Sequence, residues 1–316
     1  MKFFSLEAAK ELGARIAAEL GSTLADHEER EFEDTEFKVR ALESVQREQV
    51  VVCQSLAGDE HGSSADKLMR LLVFAGALKD AGAAEVIALV PYLAYSRKDR
   101  RTKPYDPVTT RYVAAFLEAA GVDAVVTADV HNPAAFDNAF RGLKLNVEAT
   151  PLLVEHFATR IPGGQRVAVL SPDAGGMKRA IRFAEALADR IGAPVELALM
   201  EKQRSEGLVR GHAFGGDVDD AFVIVVDDLV STGTTMVRAA RAALDRGALS
   251  VHAAATHAVF SADTANALVG EEIDSVVVTD TVSGVRERSP SLAPKLTVLG
   301  VAPLLAAAVR PLLRSA

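Results

Sequence analysis

One cysteine, Cys53, is the only thiol in 316 residues, so no intramolecular disulfide can form. It lies inside the apolar run "VVVCQS" and reads as a structural thiol of a protein kept in a reducing compartment. There is no basic excess either. Lys and Arg number 35 against 43 Asp and Glu, a net charge of -8. That balance gives no general attraction to nucleic acid or to an anionic membrane, so any phosphate binding has to be local. Long hydrophobic runs are missing as well. The opening "MKFFSLEAAKEL" lacks an apolar core followed by small residues, and "LTVLGVAPLLAAAV" is short and interrupted by Pro303. The expectation is a cytoplasmic protein with no export signal and no membrane span. No low-complexity linker divides the chain, yet its length is enough for two domains of about 150 residues, and 49% hydrophobic content is ample for a core in each.

What the sequence does contain is alternation. Short runs rich in valine and isoleucine ("QVVVCQSL", "EVIALVPYL", "AVVTADV", "RVAVLSPD", "FVIVVDDL", "SVVVTDTV") alternate with alanine-rich segments of helical period such as "ADKLMRLLVFAGALKDAG" and "TTMVRAARAALDRG". The pattern predicts an α/β protein with mostly parallel sheets flanked by helices. Gly82, Gly121 and Gly247 stand where helices should close. A boundary is expected near residues 145 to 150, each side holding its own strand and helix series.

Ligands of a parallel sheet gather at the carboxyl ends of its strands, so the polar residues after each apolar run are the informative ones. In "VIVVDDLVSTGTTM", residues 223 to 236, Asp227 and Asp228 precede Ser231, Thr232, Gly233, Thr234 and Thr235. Hydroxyls and backbone N–H groups leading into a helix suit a phosphate dianion. The acids cannot bind that phosphate, but they can accept hydrogen bonds from hydroxyls of the molecule that carries it. A sugar phosphate held at both ends fits, whereas in the plainer reading the acids end a strand and Ser231 caps a helix.

Two acids between hydrophobic pairs, followed by a Thr/Gly-rich loop, resemble the phosphoribosyl-diphosphate motif of type I phosphoribosyltransferases and ribose-phosphate diphosphokinases. The rest of the chain favours the second family. "VPYLAYSRKDRR" at 90 to 101, "TADVHNPAAF", "SPDAGGMKRA" at 171 to 180, "EFEDTEF" at 31 to 37, "THAVFS" at 256 to 261 and "VVVTDT" are similar to its segments and run in its order. The resemblance implies two phosphoribosyltransferase-like domains. The ATP side would be residues 1–147, joined by a C-terminal helix at 303–316, and the ribose 5-phosphate side residues 148–302. It also implies transfer of diphosphate from Mg-ATP to the C1 hydroxyl of ribose 5-phosphate, with release of AMP.

The same resemblance assigns roles. Asp227 and Asp228 would hold ribose hydroxyls, and Ser231 to Thr235 the 5-phosphate. His131 and Asp173 would hold Mg²⁺, with Asp173 the better oxygen ligand and Asp129 in support. Arg97, Lys98 and Arg100 would meet the triphosphate, though a solvated basic turn is an equally plain reading. Phe32 would stack on adenine beside Asp34 and Glu36, donated by a neighbouring subunit, which implies a homo-oligomer, at least a dimer. Lys202 and Arg204 of "MEKQRSEGLVRG" would bring charge to the transferring phosphate, where a charged hairpin is the alternative. Departures from the common bacterial pattern are Ser231 for Asp and Thr234 for Gly in the phosphate loop, and Lys98 for Gln. Gln46 stands where an allosteric arginine is usual, and C-terminal serines are absent, which leaves the regulatory anion site in doubt. A transferase that consumes phosphoribosyl diphosphate and a non-catalytic regulatory subunit are the competing readings.

Overall fold

Runs of valine and isoleucine have a stiff, branched Cβ that suits a pleated strand, and when both faces are covered they bury without alternation. The protein, described from a computed structural model, follows that logic. The structure describes residues 1–205, 208–261 and 263–314; within 201–205 and 208–212 the backbone is described and the side chains are not. Backbone proximity divides the chain into two units. The first comprises Met1–Glu148, Thr281–Ser283 and Gly300–Ala316, and the second Ala149–Asp280 and Gly284–Leu299.

In the first unit the strands are β1 (Lys2–Ser5), β2 (His27–Glu31), β3 (Phe37–Ala41), β4 (Gln49–Cys53), β5 (Glu85–Val90), β6 (Ala124–Ala128) and β7 (Leu143–Val147). The sheet runs β1-β4-β5-β6-β7, all parallel, while β2 and β3 pair as a separate antiparallel hairpin. Helices α1 (Lys10–Glu19), α2 (Ser64–Asp80), α3 (Thr109–Ala119) and α4 (Pro133–Ala139) make the crossovers. Ser63 starts α2 with a reciprocal capping box to Asp66, satisfying two backbone donors. Every residue of β4 is buried, Cys53 included. Burial pushes the Cys53 thiol up to about 12, which makes it a packing group and not a reactive one.

The second unit holds α5 (Thr150–Ala158), β8 (Arg166–Ser171), α6 (Met177–Ile191), β9 (Glu196–Ser205), β10 (Leu208–Gly215), β11 (Ala221–Val230), α7 (Thr234–Leu244), β12 (Ser250–Ala258), α8 (Thr264–Leu268), β13 (Ser275–Thr279) and β14 (Leu296–Leu299). Its sheet order is β10-β9-β8-β11-β12-β13-β14, parallel except for the β9/β10 ribbon at one edge. On α6, Ala180, Phe183, Ala184 and Leu187 fall at helical spacing and are buried against β8 and β11. Each large side chain so buried contributes about 1.5 to 3 kcal/mol. The last helix, α9 (Ala302–Val309), belongs to the first unit. Among the described residues no helix is long and apolar enough to cross a membrane.

The parallel strands put their carboxyl ends, and the loops after them, on one edge of each sheet. That edge receives the polar residues that follow β5 and β6 in the first unit and β8, β11 and β12 in the second.

Candidate active site

In the second unit the central strand β11 carries the acid pair near its end. Asp228 is 3% exposed and Asp227 is half-buried; Asp227 Oδ1 accepts the Asp228 backbone N–H at 2.8 Å. Burial, then the neighbouring Asp228 carboxylate, raises the Asp227 carboxyl well above its ordinary range, and Arg179 acts in the opposite direction. Arg179 Nη1 lies 3.7 Å from Asp227 Oδ1 and 3.7 Å from Asp228 Oδ1.

After β11 the chain turns through Ser231, Thr232 and Gly233 into α7. Gly233 is the residue before the helix, with φ +76° and no side-chain cap, so the first N–H groups of α7 are not taken by a capping side chain. A Cβ there would lie 3.0 Å from Leu268 Cγ, so the space and the left-handed backbone both call for glycine. Thr232 and Thr234 are exposed, with their hydroxyls 2.9 Å apart, and Thr235 is half-buried. The Ser231 carbonyl accepts the Ser261 N–H at 3.2 Å and the Thr264 hydroxyl, which fastens the loop to the chain after β12. A rigid loop at a helix N-terminus with hydroxyls around it has the donor set of a phosphate site.

Beside β11, β8 ends in Ser171, and Asp173 follows. Asp173 Oδ1 caps the Gly176 N–H at 3.1 Å, while the Ser171 hydroxyl donates to the Asp173 carbonyl at 2.7 Å. A Cβ on Gly176 would come within 2.9 Å of Ser171 Oγ, which explains a glycine at that position. The other Asp173 carboxylate oxygen takes no hydrogen bond among the described residues.

In the first unit, β6 ends at Ala128 and the backbone bends at Asp129, φ +33°, whose N–H donates to the Val147 carbonyl at 2.9 Å. Asp129 is therefore past the strand, and is buried while His131 is exposed. Asn132, which caps α4, donates to Asp99 Oδ2 at 2.6 Å. That bond ties the His131 loop to the loop after β5, where Arg97 and Arg100 are exposed. Lys98 differs from them. Its Nζ contacts Asp106 Oδ2 at 2.5 Å and Thr102 Oγ1 at 3.0 Å, and the same Asp106 oxygen accepts the Thr102 and Lys103 N–H groups. These donors, Lys98 first, hold the Asp106 carboxyl far below the usual carboxylate range. Lys98 thus closes the loop that carries the two arginines.

Phe32, Asp34 and Glu36 occupy the tip between β2 and β3. Phe32 N–H donates to the Glu36 carbonyl at 2.7 Å, and Asp34 Oδ1 accepts the Glu36 N–H at 3.2 Å. Phe32 is 41% exposed with the Arg30 guanidinium 5.1 Å from its ring centre, so a planar apolar face is presented in a polar setting. The Lys202 and Arg204 backbones lie in β9, paired with His212 and Val209 of β10. Their side chains, and Glu206 and Gly207, lie outside the described residues.

Residues 1–121 match the N-terminal domain of ribose phosphate pyrophosphokinase, and residues 210–315 the phosphoribosyl synthetase-associated domain. The ribose-phosphate pyrophosphokinase of Caldanaerobacter subterraneus is 38% identical over 98% of this chain and 93% of its own length. That of Vibrio parahaemolyticus is 36% identical over 98% and 95%. The crystal structure of phosphoribosylpyrophosphate synthetase from Mycobacterium smegmatis superposes with a TM-score of 0.87 at 31% identity, covering 98% of each chain. The chain belongs to the ribose-phosphate pyrophosphokinase family.

Two residues escaped the sequence reading of this family member. Arg179 sits in "SPDAGGMKRA", but nothing in that string says which strand its guanidinium reaches, and its partners are about fifty positions away. Asp106 was more accessible to sequence reasoning: an acid eight residues after Lys98, with Thr102 between them, signals a closed loop. Gln46 and Arg47 form a turn, not strand, with Arg47 at φ +64° and its N–H on the Gly82 carbonyl at 2.7 Å.

Proposed function

We propose that the protein transfers diphosphate from ATP to the C1 hydroxyl of ribose 5-phosphate, forming 5-phosphoribosyl 1-diphosphate and AMP. The observation that carries this reading is the end of β11: a half-buried Asp227 and a buried Asp228 followed by an uncapped helix N-terminus ringed with hydroxyls, in a chain that matches ribose-phosphate pyrophosphokinases over nearly its whole length. Asp227 and Asp228 accept the ribose hydroxyls. Ser231 to Thr235 and the first N–H groups of α7 hold the 5-phosphate, so the sugar is gripped at both ends and its C1 hydroxyl is fixed in place.

Arg97 and Arg100 supply positive charge to the ATP phosphates, and Lys98 shapes the loop that presents them. Phe32 stacks on adenine, with Asp34 and Glu36 near its edge and ribose. That hairpin serves a neighbouring subunit, which makes the working enzyme a homo-oligomer of at least two chains. The pairs Met69/Val73 on α2 and Tyr112/Phe116 on α3 leave large apolar side chains exposed at helical spacing, which supports association. Lys202 and Arg204 neutralise charge that develops on the transferred phosphate.

The chemistry of two residues, each taken in its own unit, suits Mg²⁺: Asp173 is half-buried with one carboxylate oxygen outside its capping bond, and His131 is exposed. A bound Mg²⁺ would neutralise ATP phosphate charge and orient the leaving AMP. The setting is the cytoplasm, in keeping with the lone buried thiol.

Product analysis tests this directly. Incubation of ATP, ribose 5-phosphate and Mg²⁺ should yield AMP and 5-phosphoribosyl 1-diphosphate in equal amounts. ADP with a sugar bisphosphate, or no turnover by the homogeneous protein, would overturn it.

A further inference from the structure

The hairpin of β2 and β3 has two faces of different chemistry. Residues directly opposite in an antiparallel pair point to the same side, and here Glu31 stands opposite Phe37 and Glu29 opposite Val39. Glu28, Arg30, Lys38 and Arg40 alternate with them on the other side, where Lys38 and Arg40 pair with Glu28 and Arg30 lies over Phe32. The first face is turned to α2, which packs against β3.

One side chain of α2 holds that face at the tip end. Arg70 is 13% exposed; its Nη2 lies 2.6 Å from Glu31 Oε2, its Nη1 4.0 Å from Glu29 Oε2, and its guanidinium 4.6 Å from the centre of the Phe37 ring. Glu31 and Phe37 form the last paired rung of the ladder, and the next bond toward the tip runs from the Phe32 N–H to the Glu36 carbonyl. Arg70 therefore grips both strands at the rung next to Phe32, one strand through a carboxylate and the other through a ring. Glu29 is held in turn by the Glu7 N–H at 2.7 Å and by His27 Nε2 at 3.0 Å. The ion pair to Glu31 is weak by itself, because Glu31 is 58% exposed and water screens it. The stack on Phe37 is better protected, and a guanidinium is the cation that lies flat on a ring while its edge meets a carboxylate. The same helix leaves Met69 and Val73 exposed, so the hairpin is fastened to an element of the proposed subunit contact.

Resting on the reading of Phe32 as the adenine platform for a neighbouring subunit, we propose that Arg70 is a positioning residue for ATP that acts across the subunit contact. It locks the hairpin onto α2, so that Phe32 is presented in one orientation to the neighbour's nucleotide, without itself touching ATP. The role needs the planar stack as well as the charge.

The test uses the full-length protein with Arg70→Met and Arg70→Lys, and with Phe32→Ala in parallel. Arg70→Met should raise the KM for ATP by about five-fold or more and leave the KM for ribose 5-phosphate within about two-fold. Arg70→Lys should stay within about two-fold of Arg70→Met, because an ammonium does not reproduce the stack. A further arm mixes chains: Arg70→Met is co-expressed with a chain silenced in its own site by Lys202→Ala together with Asp228→Asn, and oligomers are purified through a different tag on each. An intact site on the Arg70→Met chain then meets an intact hairpin from the silenced chain, and a component with the native KM for ATP should appear. A merely structural defect of the Arg70→Met chain would not be relieved in this way. If Arg70→Met does not fold, Phe37→Leu, which removes the stacked ring and leaves α2 intact, takes its place in every arm. An unchanged KM for ATP in Arg70→Met, equal rises in both KM values, a native KM in Arg70→Lys, or mixed oligomers with no native component would overturn the proposal. If Phe32→Ala weakens ATP and Arg70→Met does not, only the role of Arg70 fails. If Phe32→Ala leaves the KM for ATP native, the hairpin is not the adenine platform and the underlying reading fails with it.

Discussion

Replacing Gly233 by alanine challenges the phosphate loop at one atom. The backbone there has φ +76°, and the new Cβ would stand 3.0 Å from Leu268 Cγ and 3.1 Å from Leu268 Cδ2. Leu268 is fully buried and cannot simply move aside. A left-handed backbone costs an L-residue roughly 1 to 2 kcal/mol. Crowding a packed core by one methyl costs roughly 1 to 3 kcal/mol more. Gly233→Ala should therefore lower stability by about 2 to 5 kcal/mol if the loop holds its shape. If the loop relaxes instead, part of that strain disappears, but Thr232, Thr234 and the start of α7 shift, and the KM for ribose 5-phosphate rises. Urea titrations give the first quantity and steady-state rates the second. The mechanism is isolated by a cycle with Leu268→Ala, which removes the crowding and leaves the dihedral strain. The double variant should be more stable than the sum of the single losses implies, by about 1 to 3 kcal/mol. Additivity within about 0.5 kcal/mol would show that Leu268 does not set the loop. Native stability together with a native KM in Gly233→Ala would refute the whole argument.

Lys202→Ala and Arg204→Ala should each lower kcat by about 100-fold or more with little change in the KM for ribose 5-phosphate, and near-normal turnover in both would remove them from the chemistry. Acid should weaken the second unit through His252, which stacks on Phe222 at 3.9 Å and contacts Ser250 and Ser275. Burial first, and His156 less, outweigh Asp274 and lower its pKa to about 4. Between pH 6.5 and 4 the unfolded chain binds a proton that the folded chain refuses, so stability is lost as pH falls through that window, by roughly 3 kcal/mol at 1.36 kcal/mol per pH unit. Above pH 6.5 His252 contributes no slope. Urea titrations of native and His252→Gln protein at pH 8, 6.5, 5 and 4 should show that slope shrink in the variant; equal slopes would count against it. Inorganic phosphate should not be required for activity, and ADP should inhibit only by competing with ATP, because uncharged Gln46 stands where the family resemblance leads one to expect an arginine, and it lies against Gly82. ADP inhibition that saturating ATP fails to relieve would reveal a regulatory site.

Most of the sheet framework was legible because burial on both faces writes itself as unbroken apolar runs: β4, β5, β6, β8, β11 and β13 all coincide with valine-rich stretches. The strands that were not legible have physical reasons. β12 reads "SVHAAATHA", and alanine favours helices, yet this segment lies between β11 and β13 with its alanines fully buried. A central strand covered by helices has room only for small side chains at such positions, so packing overrides propensity. β1 and β14, with four residues each, are too short for a periodic signal and are fixed by their neighbours.

The site divides along a different line. Residues whose role depends on backbone shape, such as Gly233, or on order along the chain, such as the acid pair before the hydroxyls, can be read from a string. Roles set by electrostatic partnership cannot, because a charge's meaning depends on what it faces. Lys98, Arg97 and Arg100 look alike in sequence, but Asp106 neutralises Lys98 within its own loop while both arginines stay exposed. Arg179 is the converse case: an unremarked cation beside the "GG" turn becomes the counter-charge of a carboxylate pair on another element. The same reasoning explains why the Asp227–Asp228 pair can persist in a strand end at all. Two desolvated carboxylates repel, and Arg179 at their edge offsets part of that repulsion, while burial and Asp228 still hold the Asp227 carboxyl well above its ordinary range. The ion triad therefore belongs as much to the folding of β11 as to sugar binding, and Arg179→Met should cost stability most at high pH, where both acids are forced to ionise. Unfolding measured at pH 6 and pH 9 tests this: a stability gap from the native protein that widens with pH is expected, and a gap independent of pH would mean that Arg179 packs without balancing charge.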